Sequence, residues 1–252
     1  RTHGPMLRRA IAALIQRAEA NDGYMGQGNR GMYEHALATL ALAEVCGETE
    51  DESAYATVER AVALIVRAQH SGGGWRYEPK PDAHDLSVTV TQLHALDAAR
   101  QAGVKVPAET IDRGLAYVRS CQDDNGGFRY QPNRAGVEFG RSVGALSVLL
   151  AYGADVESEP IQRALQHLAD RPAFSPKERY FHYAHAYAVQ AMHLAPDREE
   201  YWLKYFTHVR EHLIKQQRAD GSWNFNHGPH YCTAMSLIIL QVPNEYLPIL
   251  QH

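Results

Sequence analysis

A seven-residue pattern recurs along this chain and constrains its fold more than any other signal. It reads Gln69-His70-Ser71-Gly72-Gly73-Gly74-Trp75, then Gln122-Asp123-Asp124-Asn125-Gly126-Gly127-Phe128, then Gln217-Arg218-Ala219-Asp220-Gly221-Ser222-Trp223. Each copy is Gln, three residues, Gly, one small residue and a large aromatic. Two degenerate copies share the phase, Asn21-Asp22-Gly23-Tyr24 and Arg171-Pro172-Ala173-Phe174. The aromatics fall at 24, 75, 128, 174 and 223, with spacings of 51, 53, 46 and 49. A period near fifty residues is the mark of a repeat architecture.

The segments between these turns are helical by pattern. Residues 5–19 carry Leu7, Ile11, Leu14, Ile15 and Ala18 on one face. Residues 32–46 are apolar or small nearly all round, which predicts a helix buried on most faces. Gly47 is the expected C-cap. Residues 53–68 have a single apolar stripe and an intact polar face. The alternation continues with buried-type helices over 85–101, 139–152, 180–194 and 230–241. Amphipathic helices are expected over 108–121, 159–169 and 199–216. The count is five inner and five outer helices, beginning with an outer one. No period-2 strand pattern stands out. The expected fold is all-α, an α/α toroid of five helix hairpins forming one domain over 1–252; the competing arrangement is an open solenoid. Since the chain opens on an outer helix, a sixth inner helix upstream of Arg1 would complete the alternation.

Composition narrows the partners. Of 252 residues, 45% are hydrophobic and 21% charged, an ordinary globular balance. A net charge of -4 gives no reason to expect nucleic acid. No apolar run reaches the roughly 18–20 residues that span a bilayer. The compartment is open, because the chain begins at Arg1 rather than Met and leaves room for a removed targeting segment. Cys46, Cys121 and Cys232 are odd in number and widely spaced, so they read as buried thiols rather than a disulfide framework.

The turn motif reads as structural. Its glycines supply positive φ at helix ends, and its aromatic is a large anchor. Gln69, Gln122 and Gln217 end outer helices, where backbone carbonyls lack partners and the next repeat is within reach.

The pattern resembles the Gln-Trp repeat of squalene and oxidosqualene cyclases, which is related to the repeats of protein prenyltransferase β subunits. The strings Gly73-Gly74-Trp75-Arg76-Tyr77-Glu78-Pro79, Asp85-Leu86-Ser87-Val88-Thr89-Val90 and Met32-Tyr33-Glu34-His35-Ala36-Leu37-Ala38-Thr39 also resemble stand-alone bacterial repeat proteins of that superfamily. The resemblance implies an α/α toroid without implying an activity. Class II cyclases use Asp-x-Asp-Asp, its third position the proton donor; here Asp82-Ala83-His84-Asp85 places His84 there. The Asp-x-Cys zinc ligands of prenyltransferases are absent, although His230-Tyr231-Cys232-Thr233 is similar to their histidine side. The Gly-Cys-Gly-Glu-Gln thioester motif is absent too. Proton-initiated triterpene cyclisation is therefore not expected.

Chemistry-bearing residues gather at the N-terminal ends of the inner helices. Half of the 14 histidines lie there: His35, His70, His84, His182, His185, His227 and His230. His84, Asp85, His185 and His230 are the candidate acids or bases. Tyr33, His35, Glu138, Arg141, His182 and Tyr183 are candidate ligand contacts. His182 and His185, three apart on a helix, could share a metal such as zinc, but no cofactor is expected and hydrogen bonding is the commoner use of such histidines. His208 and His212 read as a solvated face. The loops at this end sum to zero charge, so an anionic ligand is permitted rather than demanded. Two functions remain open. One is binding, with or without processing, of an isoprenoid or other largely apolar small molecule among Tyr33, Phe139, Tyr180, Phe181, Tyr183, Tyr187 and Tyr231. The other is a non-catalytic scaffold for a protein or peptide partner; uronate-type polysaccharide chemistry is a weaker third.

Overall fold

The computed structural model describes residues 4–49, 51–169, 174–195 and 198–244. Among these the regular elements are ten α-helices and two short 3-10 turns. The β-type pairing is limited to isolated bridges that close the turns, such as Trp75 with Asp85 and Gln122 with Phe128. The chain divides into two compact units, Arg1–Ser120 and Cys121–His252.

The first unit holds α1 (Gly4–Ala20), α2 (Gly31–Glu48), α3 (Glu52–Arg67), α4 (Leu86–Gln101) and α5 (Ala108–Ser120). The second holds α6 (Phe139–Ala151), α7 (Glu159–Ala169), α8 (Phe181–Leu194), α9 (Arg198–Gln216) and α10 (Pro229–Gln241). Every helix expected from periodicity is present, with ends within about two residues, the usual uncertainty of a helix boundary. The all-α class of paired inner and outer helices follows directly. In unit 1, α2 packs against α4 and α3; in unit 2, α8 packs against α6, α9 and α10. Gly47 is a correction. The helix α2 runs through it and ends at Thr49, whose hydroxyl donates to the Val45 carbonyl at 2.8 Å.

The inner helices are not equally covered. Nearly all of α4 from Leu86 to Ala99 is buried, and α6 and α8 are similar. But α2 leaves Leu37 39% exposed, and α10 leaves Leu237 47% exposed. Burial on most faces was expected for all five, and these two have it on one side only. The residues that are buried, such as Met32, His35 and Leu42 on α2, face neighbouring helices; the opposite face has an apolar sequence but no cover among the described residues.

The turn motif works as a clamp. Gln69 Nε2 donates to the Gly73 carbonyl (2.7 Å) and to the Thr110 carbonyl in the first turn of α5 (2.9 Å). Gln122 repeats this with Gly126 (3.2 Å) and Pro160 in α7 (2.8 Å). The amide therefore joins one turn to the next outer helix, rather than capping its own helix. The Trp75 and Trp223 indoles donate to carbonyls ten residues back, Ile65 and Leu213, both at 2.7 Å. Trp75 and Phe128 are fully buried. Burying a ring of this size removes about 150–250 Å² from water, on the order of 4–6 kcal/mol at about 25 cal/mol/Å². Gly73 and Gly126 have φ of +94° and +84°, and a Cβ on either would overlap the carbonyl of Arg113 or Arg163. Only glycine satisfies both demands.

The N–H of each well-formed aromatic is taken by a hydroxyl on the next inner helix. Trp75 donates to Thr89, Phe128 to Ser142 and Trp223 to Thr233, each at 3.0 Å. In the degenerate turns an imidazole instead bonds the residue after the aromatic, with opposite polarity in the two. Met25 N donates to His35 Nδ1 at 3.2 Å, and His185 Nε2 donates to the Ser175 carbonyl at 3.3 Å. Arg171-Pro172-Ala173 of the fourth turn lie outside the described residues; Phe174 after them packs on His185 and His212.

Candidate ligand-binding site

In unit 1 the N-terminal ends of α2 and α4 meet through backbone and ring contacts. Met32 N donates to the Tyr77 carbonyl at 3.0 Å, and Gln92 Nε2 on α4 donates to the Met32 carbonyl at 2.9 Å. These bonds set the Tyr77 ring 6.1 Å from Tyr33. Two guanidinium groups lie over the same ring, Arg30 at 5.4 Å and Arg76 at 4.8 Å from its centroid. Arg30 reaches it from the N-cap position of α2, and Arg76 from the residue after the buried Trp75. A tyrosine faced by two cations presents an aromatic surface and hydrogen-bond donors together.

Asp85 is fully buried at the N-cap of α4. Its Oδ1 accepts from Val88 N at 3.0 Å, and its Oδ2 lies 3.9 Å from Arg76 Nε. Both neighbours call for a carboxylate acceptor. His84 stands beside it with its ring 4.4 Å from His70 and edge-on to Tyr117 at 4.6 Å. Burial, helped by His70 and Arg76, pushes its pKa down and favours the neutral ring, which has no acidic proton to deliver to an apolar substrate. His35 is fully buried, with Nε2 facing the Ala61 carbonyl of α3 at 3.3 Å. With Nδ1 already accepting from Met25, both ring nitrogens are used within the protein, and burial lowers the pKa to about 4.

In unit 2 the ends of α8 and α10 carry a chain of rings. Tyr180 is 6.1 Å from His227, His227 is 5.5 Å from Tyr231, and Tyr231 is 6.4 Å from His182. Arg179 lies over Tyr180 at 5.2 Å. His182 Nε2 meets the Ser236 hydroxyl at 3.1 Å, which ties α8 to α10 much as Gln92 ties α4 to α2. Burial first, then His227 and His212, lowers its pKa to about 4. His185 turns the other way. Its Nδ1 accepts from the Tyr205 hydroxyl on α9, while its Nε2 donates to Ser175. Burial holds it near about 3. So His182 and His185, expected on one face, bond in opposite directions, one to an inner and one to an outer helix. Among the described residues no group of three or more His, Cys, Asp or Glu is arranged to hold a metal ion.

At the end of α6, Glu138 and Arg141 form an ion pair at 3.1 Å, and Arg141 lies over Tyr130 at 5.6 Å. Tyr183 is half-buried with its ring edge-on to Tyr187 at 4.9 Å. His230 is exposed in the first turn of α10, with Cys232 buried below it. Phe181, expected on a ligand-facing surface, is instead packed among Phe225, His185 and His212. His212 is likewise a correction: it is half-buried against Phe174 and Phe181, whereas His208 is exposed as expected.

Tyr77, Tyr130, Arg30 and Tyr205 were not among the expected site residues. A signal for Tyr77 and Tyr130 was present. Gly-aromatic-Arg-Tyr-x-Pro occurs twice, over 74–79 and 127–132, and each copy places its tyrosine beneath a guanidinium.

No family model matches the chain. A curated relative, drimenyl diphosphate synthase of Streptomyces showdoensis, is 33% identical over 101 residues, 39% of this chain and 18% of the relative. The match thus spans less than a fifth of that protein's length. Among solved structures the chain is similar to the type II terpene cyclase MstE from Scytonema without ligand, at 14% identity over 93% of this chain and 97% of that one, with a TM-score of 0.45. A variant of that cyclase in complex with geranylgeranyl dihydroxybenzoate aligns at 17% identity over 85% and 79% of the two chains, with a TM-score of 0.44.

Proposed function

We propose that this chain binds an isoprenoid, or a similarly apolar small molecule with an anionic or oxygenated head, at the N-terminal ends of its inner helices. The observation that carries this reading is the Tyr33–Tyr77 surface faced by Arg30 and Arg76. Ring faces suit an apolar chain, and guanidinium forks suit oxyanions. The segment shared with drimenyl diphosphate synthase supports a ligand of that chemical class. In this reading Tyr33 and His84 touch the ligand in unit 1, and the inner-helix ends of unit 2 offer contacts of the same kind through Tyr183, Glu138, Arg141 and His230. His35, Asp85, His182 and His185 hold the helix ends that present them. Binding is favoured over proton-initiated cyclisation because Asp85 is engaged as an acceptor by an N–H and a guanidinium.

Titration with geranylgeraniol and with geranylgeranyl diphosphate, followed by tryptophan fluorescence and calorimetry, tests the reading. Saturable binding is expected for both. Tyr33→Ala should weaken both by about tenfold, the loss of roughly 1.4 kcal/mol of ring contact. Arg76→Met should weaken the diphosphate alone. Absence of saturation with either probe, on protein of native helicity, would overturn it.

A further inference from the structure

We propose that the outward face of α3 is a self-complementary docking surface on which a second copy of this chain packs, α3 antiparallel to α3. A groove of about 350 Å³ runs along this helix beside the turn that joins α4 to α5. Its apolar floor comes from Val62, Val66, Val104 and Pro107. It is half open to solvent, whereas a pocket for a small molecule encloses most of its ligand. Its position on an outer helix separates it from the ends of the inner helices.

The charges select the occupant. Glu59 lies at one end of the groove, and Arg67 and Lys105 line it with Ala63 between the two α3 charges. Positions 59, 62, 63, 66 and 67 are spaced i, i+3, i+4, i+7 and i+8, which is one face of a helix. Glu59 and Arg67 are each four residues from Ala63, about 6 Å along the axis. With Ala63 on a twofold axis, Glu59 of each copy meets Arg67 of the other, and both ion pairs form at once. That is the requirement for an isologous interface. The small Ala63 side chain permits close approach at the crossing point. Arg60, next to Glu59, would oppose Val66 of the other copy and meets no like charge. Arg67 now pairs with Asp22 at 2.9 Å. A guanidinium has five donors, so that pair and an intermolecular one are compatible.

Sedimentation velocity on the 252-residue protein across the micromolar range is the test. A concentration-dependent dimer is expected. Glu59→Arg and Arg67→Glu should each raise its dissociation constant by about tenfold or more, because each places like charges opposite one another twice. The double variant Glu59→Arg/Arg67→Glu should restore association, since exchanging the charges regenerates both pairs. Circular dichroism establishes that each variant remains folded. A monomer at all concentrations, a dimer indifferent to the single reversals, or a double variant as weak as the singles would each overturn the proposal; a monomer would leave the groove to a different protein partner.

Discussion

His35 and His185 show how little a histidine's position says about its use. Each sits where the sequence concentrates imidazoles, at the start of an inner helix. Each spends both nitrogens on the protein: an N–H given to a carbonyl, a lone pair taken by a donor. The partners Ala61 and Tyr205 come from the following outer helices. No local pattern announces them, so the sequence could place these rings but not orient them. The motif glutamine was more legible, because its recurrence at a fixed offset from the aromatic required a repeated partner. It also yields a contrast. Gln69 is buried and satisfies two carbonyls, whereas Gln217 is exposed and satisfies Gly221 at 2.9 Å. Replacing Gln69 with Leu should cost about 1–3 kcal/mol, the price of stranded buried carbonyls, and the same change at Gln217 should stay within about 0.5 kcal/mol. Urea denaturation of the two variants measures the difference; equal losses would refute the clamp.

At the scale of the element, the helices were legible because period and punctuation agreed. Pro107, Pro160 and Pro229 stand at helix starts, and glycines stand in the turns after outer helices. Gly47 misled because glycine only permits a left-handed cap and does not enforce one. Coverage of α2 and α10 was illegible, because an apolar surface in the sequence does not specify which neighbour meets it. The N-cap of α4 gives the sharpest prediction here. Asp85 bonds the Val88 N–H and faces Arg76, so its oxygen matters to the helix as much as its charge. Asp85→Asn keeps an acceptor and should cost less than about 1 kcal/mol. Asp85→Ala removes it, leaves Arg76 without this neighbour, and should cost about 2 kcal/mol. If the two variants unfold at the same denaturant concentration, the capping role is wrong. If Asp85→Asn leaves ligand affinity intact, the residue positions the site and does not touch the ligand.

At the scale of the molecule, three buried imidazoles make folding depend on pH in one direction. His35, His182 and His185 have values of about 4, about 4 and about 3 in the folded chain, chiefly because burial disfavours the charged ring. In the unfolded chain each returns to about 6.5. Below that value the unfolded state binds more protons, so stability falls with falling pH. Their neutrality costs nothing near pH 7.5 and progressively more between about 6.5 and 4, where only the unfolded state has gained protons. A fall from 6.5 to about 4 weakens folding by on the order of 3 kcal/mol per group once pH is below both values, and a domain's whole margin is about 5–15 kcal/mol. Two of the three groups, His182 and His185, flank Phe181 in unit 2. Acid should therefore unfold residues 121–252 before the helices of unit 1, which depend on His35 alone among these three. Amide hydrogen exchange at pH 7, 5.5 and 4.5, corrected for intrinsic rates, distinguishes the units. Protection should be lost first in α8 and α9, and His185→Gln should flatten the pH dependence there. Equal loss in both units, or stability constant from pH 7 to 4.5, would show that these rings are not what holds the second unit closed.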